Sequence, residues 1–151
     1  MTPAVGECQE LMPDRTPIKQ CAVLAYRRHK QGLQVVLVTS LETRRWVLPK
    51  GHYEDGLSAR ASASLEAFEE AGVVGAVSRR CLGTYDYRKI ELKGGGLCRV
   101  DVFLMAVTRI KNSWPEKNKR RRKWMTPDDA IKAVDEKKLK KLIAQFAKNF
   151  E

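Results

Sequence analysis

The chain has 151 residues, with 29 Lys or Arg against 18 Asp or Glu and a formal net charge of +11. This length predicts a single domain that buries about two-thirds of its unfolded surface. The positive charge indicates an anionic partner, which can be a polyphosphate, a nucleic acid or an acidic surface. No apolar run approaches the roughly 20 residues that span a bilayer, and the N-terminus lacks a signal-peptide pattern, so we expect a cytoplasmic protein without a membrane partner.

The four cysteines are widely separated, and none forms a C-x-x-C pair. Their spacing favours reduced thiols over a zinc site or a disulfide framework. Residues 1–17 contain three prolines and no periodic pattern. We interpret them as a flexible N-terminal arm in front of one domain that covers residues 18–151.

Two segments rich in β-branched and aromatic residues, 18–26 and 33–39, are separated by a polar turn and predict a pair of strands. Residues 46–48 form a third short apolar segment, which Pro49 ends because proline cannot extend a helix or donate to a sheet. A loop that contains Lys50, Gly51 and Gly56 follows. Such a loop in front of a helix suits the close approach of a phosphate to the backbone.

A helix is predicted after this loop, because Ser58 can cap its start and Gly72 can end it in a left-handed conformation. Helical periodicity places one stripe of residues toward the core. That stripe comprises Leu57, Ala61, Ser64, Leu65, Phe68 and Ala71, and Glu66, Glu69 and Glu70 cluster on the opposite side. Three clustered carboxylates repel one another, and a hard divalent cation such as Mg²⁺ would relieve that repulsion. The alternative is an ordinary solvated acidic face.

The spacing of these residues resembles the signature box of the Nudix hydrolases. The box begins with a glycine and ends with Glu-Glu-x-Gly-apolar, and the matching residues are Gly51, Glu66, Glu69, Glu70, Gly72 and Val73. Two positions depart from the pattern, with Leu57 in place of the usual glutamate and Leu65 in place of the usual arginine. The sequences around residues 21–51 and 114–132 are similar to the diphosphoinositol polyphosphate phosphohydrolase branch of the family.

Beyond the helix, residues 81–90 and 97–110 predict an antiparallel pair joined at the turn 93–96. Alternation places Val100 and Val102 on one face of the second strand and Arg99 and Phe103 on the other. Arg88, Lys89 and Arg99 can reach a bound anion from these strands, although solvated charges are the alternative. A basic run at 117–123 precedes a short strand, and Thr126 and Pro127 begin the first of two helices, at 128–134 and 137–150.

This order of elements predicts an α+β fold with helices packed on a mixed sheet, and it agrees with the α/β/α sandwich that the Nudix resemblance implies. The resemblance also implies roles for individual residues. Glu66 and Glu70 would hold Mg²⁺ or Mn²⁺ together with the carbonyl of Gly51, and Glu69 would be the general base or an additional metal ligand. The residues implied to contact substrate phosphates are Ser40, Lys50, His52, Arg88, Arg99 and Arg122, the last preferred within the Arg120 to Arg122 cluster.

Three functional hypotheses follow. The first is a metal-dependent pyrophosphohydrolase that cleaves a diphosphoinositol polyphosphate or a dinucleoside polyphosphate. Because Leu65 cannot orient a glutamate by hydrogen bonding, we expect slow turnover unless Arg60 or Lys50 takes that role. The second is a degenerate domain that binds a polyphosphate with little turnover. The third is RNA binding or end processing, but the chain contains no recognised nucleic-acid motif, so specific binding is not expected. The sequence leaves the oligomeric state open.

Overall fold

The computed structural model describes residues 16–30, 32–89 and 94–150. The predicted N-terminal arm, apart from its last two residues, lies outside the described residues. So does Lys93, the first residue of the turn predicted at 93–96. The elements in chain order are β1 Ile18–His29, β2 Gly32–Thr39, β3 Trp46–Val47, β4 Lys50–His52, α1 Ala59–Glu66, a π-helical turn Ala67–Ala71, β5 Val73–Val77, β6 Gly83–Arg88, β7 Leu97–Ile110, β8 Arg122–Met125, α2 Pro127–Ala133 and α3 Lys137–Asn149.

The sheet is mixed, as predicted, and β1 lies at its centre. β1 runs parallel to β7, from the pair Ile18↔Cys98 to the pair Tyr26↔Ala106, and antiparallel to β2 and β4. β5 and β6 pair with β7, while β3 and β8 pair with β2, all antiparallel. The predicted pairing of residues 81–90 with 97–110 is confirmed by β6 and β7. β4 and β5 are additional strands that the sequence patterns did not reveal.

Both faces of the sheet are buried, because side chains that alternate along β1 enter two different cores. Ala22 and Leu24 pack on one side with residues of α2 and α3, including Leu139, Ile143 and Phe146. Cys21 and Val23 pack on the other side with residues of α1 and its π-helical turn, including Ala63, Ala67 and Ala71. The alternation predicted for β7 is also confirmed, with Val100 and Val102 in the first core and Phe103 in the second. This arrangement is the expected α/β/α sandwich.

The helix that carries the glutamates starts and stops as predicted. The Ser58 hydroxyl accepts from the Ala61 amide at 3.1 Å, and Gly72 ends the segment with a φ of 67°. The α-helix stops at Glu66, however, and continues as a π-helical turn from Ala67 to Ala71. Wider turns of this kind occur frequently at functional sites.

The predicted core stripe of this helix is mostly wrong. Ala71 is buried as predicted, but Leu57 is 45% exposed, and the other fully buried positions, Ser62, Ala63 and Ala67, lie outside the predicted stripe. The sheet face below is already filled by Val and Phe side chains, so the helix approaches it closely through small residues rather than large ones. This orientation turns Glu70 inward, where it is 6% exposed, instead of leaving it on the solvent side.

The C-terminal elements agree with the sequence analysis to within one or two residues at each end. Thr126 caps α2 by accepting from the Asp129 amide at 3.1 Å, and Pro127 occupies its first turn. The strand predicted at Trp124 begins earlier, at Arg122, because residues 122–125 pair with β2. Among the described residues, no helix combines the length and apolar character that a membrane crossing requires.

Candidate active site

A cleft of about 450 Å³ opens where β4, the glutamate helix and the loop after β2 meet. Its walls carry both acidic and basic side chains. The lining residues are Gln20, Ser40, Leu41, Glu42, Thr43, Arg45, Val47, Lys50, Gly51, His52, Glu54, Glu66, Glu70, Tyr87, Arg88, Lys89 and Arg120. Most of the charged side chains come from segments that are distant in the sequence, so the fold concentrates them in one place.

Gly51 is the point at which the glutamate helix touches β4. Its position is fixed by pairing with Cys21 of β1, whose thiol also lies 3.7 Å from the Gly51 carbonyl oxygen. A Cβ at Gly51 would lie 2.3 Å from the carboxyl carbon of Glu66. No residue other than glycine fits there without displacing Glu66, which gives a steric reason for the first glycine of the box.

The Glu70 carboxylate is held at both of its oxygens. The Lys50 amide donates to Oε1 at 3.1 Å, and the Arg120 guanidinium donates to Oε2 at 3.2 Å. The two side chains of this ion pair are only 7% and 11% exposed. A carboxylate fixed in this way has a defined orientation at the floor of the cleft.

Glu66 and Glu70 form an acidic pair that lacks full charge compensation. Burial, followed by repulsion from Glu70 and Glu69, raises the pKa of Glu66 to about 8. Burial raises the pKa of Glu70 to about 7, although Arg120 opposes this shift. A cation between the two would offset both effects, since hard divalent cations bind carboxylate oxygens.

The donor set for such an ion is small. Within residues 16–30, 32–89 and 94–150, no three His, Cys, Asp or Glu side chains are grouped so as to hold a metal ion. The candidate ligands that line the cleft are the two carboxylates of Glu66 and Glu70 and the nearby backbone of Gly51. Mg²⁺ usually binds a protein through one or two carboxylates and fills its other coordination positions with waters and substrate phosphates. A pair of carboxylates therefore fits this ion.

Basic side chains line the same cleft as these carboxylates. Arg45 Nη1 lies 2.8 Å from a carboxylate oxygen of Glu136, just before α3, and this ion pair fixes the guanidinium at the cleft. The Lys50 ammonium lies 5.0 Å from the centre of the Tyr87 ring, and burial lowers the pKa of this lysine. Arg88 and Lys89 continue the basic surface at the end of β6. The arrangement suits a ligand with several phosphates.

Most of the residues predicted for the site are brought together by the fold. Ser40, Lys50, Gly51, His52, Glu66, Glu70 and Arg88 all line the cleft. Glu69, Arg99 and Arg122 do not belong to the lining. Arg99 is exposed on β7 and pairs with Asp86 of β6 at 3.2 Å, because these two residues face each other in the register.

Arg122 occupies a structural position instead of a ligand-facing one. Its Nη1 donates to the carbonyl oxygens of Ala71, at 2.9 Å, and Lys111, at 3.0 Å. Its guanidinium carbon lies 4.0 Å from the centre of the Trp114 ring. Within the basic run, Arg120 is the residue that lines the cleft, so the preference for Arg122 over Arg120 is not supported.

The segment before β8 covers the end of the glutamate helix. The carbonyls of Glu69, Glu70 and Ala71 accept from the Glu116 amide at 3.0 Å, the Trp114 indole at 3.1 Å and Arg122. Carbonyls in the last turn of a helix lack hydrogen-bond donors within the helix, and the segment before β8 supplies these donors. The contact therefore fixes the π-helical turn that carries Glu69 and Glu70.

Arg45, Gln20 and Tyr87 were missed by the sequence analysis. Gln20 accepts from the Tyr87 hydroxyl at 2.6 Å, and this pair forms one wall of the cleft. Neither residue belongs to a charged cluster, so composition gave no signal for them. Arg45 stands in a basic pair beside Trp46, and only the approach of Glu136 from the C-terminal half shows which way it faces.

Comparison with known proteins places the chain in a family. The NUDIX domain pattern matches residues 18–146. The chain is 32% identical to Nudix hydrolase 12, mitochondrial, of Arabidopsis thaliana over 123 residues, which cover 79% of this chain and 61% of that protein. It is 30% identical to diphosphoinositol polyphosphate phosphohydrolase 3-beta of Bos taurus over 118 residues, which cover 77% and 68%. The chain thus matches only about half to three-fifths of the length of several Arabidopsis relatives.

Solved structures share the fold. The Ap4A hydrolase of C. elegans superposes with a TM-score of 0.69 at 22% identity and covers 90% of this chain and 100% of its own. The NUDIX domain of Shewanella oneidensis NrtR, solved with ADP ribose, has a TM-score of 0.63 at 18% identity and covers 100% of both chains. The matched domain, the identity to Nudix hydrolases and the shared sandwich lead to one conclusion: the chain belongs to the Nudix hydrolase family.

Proposed function

We propose that this protein is a divalent-metal-dependent pyrophosphohydrolase that cleaves a phosphoanhydride in a highly phosphorylated small molecule. The observation that carries the proposal is the cleft in which Glu66 and Glu70 share the lining with five basic side chains. Hydrolases of this family generally use divalent metal ions. The carboxylates of Glu66, which is partly buried, and Glu70, which is buried, would hold Mg²⁺ or Mn²⁺ together with the adjacent Gly51. The ion would polarise a phosphate and lower the pKa of a bound water.

The charges of the cleft support a polyanionic substrate. Five basic residues line it, namely Arg45, Lys50, Arg88, Lys89 and Arg120, against four glutamates. A divalent cation on Glu66 and Glu70 would neutralise half of the acidic charge and leave the cleft clearly positive. Positioning and charge stabilisation by such groups account for most of the catalysis of phosphoryl transfer.

The two substrate classes differ in shape. A diphosphoinositol polyphosphate carries its phosphates around a ring, whereas a dinucleoside polyphosphate carries them in a chain between two bases. We favour the first, because five basic side chains from several segments of the chain line the cleft and because one of the more similar relatives is named as a diphosphoinositol polyphosphate phosphohydrolase. Among the described residues that line the cleft, Tyr87 is the one Phe, Tyr or Trp side chain, which offers little surface for stacking two bases.

The identity of the general base stays a prediction. Glu69 was assigned this role, yet its side chain lies outside the cleft lining, and its backbone carbonyl is occupied by the Glu116 amide. Separate Gln variants of Glu66, Glu69 and Glu70 will resolve the roles. A glutamine at the base lowers kcat while metal affinity is kept, whereas a glutamine at a metal ligand weakens metal binding.

A hydrolysis screen tests the proposal. The protein is incubated with diphosphoinositol polyphosphates and dinucleoside polyphosphates, with Mg²⁺ or with a chelator, and released phosphate or mononucleotide is measured. We expect Mg²⁺-dependent hydrolysis that Glu70→Gln reduces by at least about 100-fold. Asp128→Asn, which removes an exposed acid on α2, serves as the matched control and keeps full activity. Hydrolysis that is equal in wild type and Glu70→Gln would overturn the proposal.

A second candidate is a domain that binds a polyphosphate with little turnover. It is favoured by the replacement of two box residues by Leu57 and Leu65, and by the Arg120 side chain that already occupies one oxygen of Glu70. Calorimetry distinguishes the two functions. Tight binding of a diphosphoinositol polyphosphate in the presence of Mg²⁺, with no product after prolonged incubation, would identify the binding function.

A further inference from the structure

The box arginine that is absent at Leu65 would normally orient a catalytic glutamate by hydrogen bonding. The two residues predicted to replace it are engaged elsewhere. The Arg60 guanidinium is exposed and donates to the Val77 carbonyl at 2.8 Å. Lys50 approaches Glu70 through its backbone amide, while its ammonium lies over Tyr87. Neither side chain is therefore placed to orient a glutamate.

Arg120 reaches the glutamate helix from the segment before β8. Its Nη2 donates to Glu70 Oε2 at 3.2 Å, its Nε donates to Glu116 Oε1 at 2.7 Å, and its Nη1 donates to the Thr39 carbonyl at 3.1 Å. All three nitrogens of the guanidinium have partners, and the side chain is only 11% exposed. The guanidinium therefore has a fixed orientation before any ligand binds.

The backbone around Arg120 is fixed as well. The amide and carbonyl of Arg121 bond to the hydroxyl and amide of Thr39 at 2.9 and 3.1 Å. The Glu116 amide bonds to the Glu69 carbonyl at 3.0 Å. These contacts tie the segment both to the end of β2 and to the π-helical turn, so Arg120 has little freedom to leave Glu70.

We propose that Arg120 is the positioning residue that sets the orientation of Glu70, in place of the arginine lost at position 65. The proposal rests on the proposed function, since it assigns Glu70 to the metal. Residues that orient a metal ligand through a hydrogen bond change metal affinity or activity by about 10- to 100-fold when they are replaced. Arg120 meets the geometric requirement, because it holds one carboxylate oxygen while Lys50 holds the other.

The test uses Arg120→Lys, which keeps the positive charge and removes the planar fork of donors. Mn²⁺ binding is measured by electron paramagnetic resonance without substrate, and thermal unfolding of the same samples shows that the variant is folded. We expect Mn²⁺ affinity to fall by about tenfold. Arg109→Lys makes the same change at an exposed end of β7 and leaves the affinity unchanged. Unchanged affinity in Arg120→Lys would overturn the proposal.

Kinetics separate positioning from a direct phosphate contact. With Mg²⁺ and an accepted pyrophosphate substrate, we expect Arg120→Lys to lower kcat by about 10- to 100-fold and to change KM by less than about threefold. A rise in KM with an unchanged kcat would mean that Arg120 only binds substrate. Glu116→Gln, which removes the carboxylate partner of Arg120 but keeps the backbone contact to Glu69, is expected to act in the same direction with a smaller effect.

Restoring the box arginine tests the replacement itself. Leu65→Arg is expected to raise kcat by less than about threefold in the wild type and by about tenfold in Arg120→Lys, because only the second protein lacks an orienting arginine. An equal gain in both backgrounds would contradict the proposal. If the wild type binds Mn²⁺ but hydrolyses none of the substrates, the proposed function fails, and the substrate-free Mn²⁺ measurement still decides whether Arg120 positions Glu70.

Discussion

Gly72 and Trp114 are in direct contact, with the indole ring lying against the Cα of the glycine. A Cβ at Gly72 would lie 2.6 Å from the ring atoms Cδ2 and Cε3. The same glycine has a φ of 67°, in the left-handed region. Gly72 therefore satisfies two independent requirements, since it ends the π-helical turn and also leaves room for the aromatic residue that covers it.

Gly72→Ala is expected to destabilise the protein by about 3 kcal/mol, because strain in the left-handed region and a clash with Trp114 add together. The melting temperature would fall by about 10 °C, measured by circular dichroism. Gly56→Ala is the control, since Gly56 also has a positive φ, 83°, but open space around its Cα. It should cost only about 1 kcal/mol. Equal losses in the two variants would exclude the contact with Trp114 as a cause.

Trp114→Phe is expected to lower the free energy of unfolding by about 1–2 kcal/mol, since the buried carbonyl of Glu70 loses the indole donor at 3.1 Å. Urea denaturation measures this loss. The control is Trp124→Phe, because in the described part of the chain the Trp124 indole nitrogen is buried without a hydrogen-bond partner. That change should be close to neutral. A comparable loss in both variants would point to packing rather than to the hydrogen bond.

Arg122→Met and Arg88→Met are expected to have opposite effects. Arg122→Met removes a charged donor from two backbone carbonyls and should destabilise the fold by about 2–4 kcal/mol without a large change in KM. Arg88→Met should leave stability nearly unchanged and raise KM for a polyphosphate substrate, because Arg88 is exposed at the cleft. Steady-state kinetics and thermal unfolding of both variants check the pair. A raised KM in Arg122→Met alone would restore its predicted role as a phosphate contact.

The Cys21 thiol is expected to make the free energy of unfolding depend on pH in the alkaline range. Burial, followed by repulsion from Glu66, raises the pKa of its thiol from 9.0 to about 12. Between these values the unfolded chain releases a proton that the folded protein keeps, so the free energy of unfolding falls as the pH rises, by at most about 1.4 kcal/mol per pH unit. Cys21→Ala should show a shallower fall between pH 9 and 10.5 in urea titrations. Identical slopes would show that this thiol contributes nothing to the pH dependence.

Much of the fold could be predicted because several signals are local. Ser58 and Thr126 cap their helices through contacts three residues away, and the antiparallel pairing of β6 with β7 follows from alternation on both sides of a glycine-rich turn. These patterns depend on neighbouring residues alone. The two short strands that were missed, β4 and β5, pair with residues far away in the chain, so their own composition does not reveal them.

Only part of the site could be predicted, because its other contacts join residues that are far apart in the chain. Glycine and glutamate spacing identified Gly51, Glu66 and Glu70, which line one cleft. The predicted orientation of the helix was mostly wrong because periodicity favours the largest apolar side chains as core, whereas the buried positions of this helix are small residues such as Ser62, Ala63 and Ala67. Arg120 and Arg122 are indistinguishable in a basic run, and only tertiary contacts show that one faces the cleft and the other supports the backbone.

The central pairing of β1 with β7 has a consequence for how the chain acquires its structure. The partners are separated by about 80 positions, as in Ile18↔Cys98 and Tyr26↔Ala106, and the strands are parallel. Closing so long a loop costs entropy before the pairing returns any stabilisation, and folding slows as contacts become more distant in sequence. During synthesis, β1 must therefore wait without its parallel partner until residue 106 has left the ribosome.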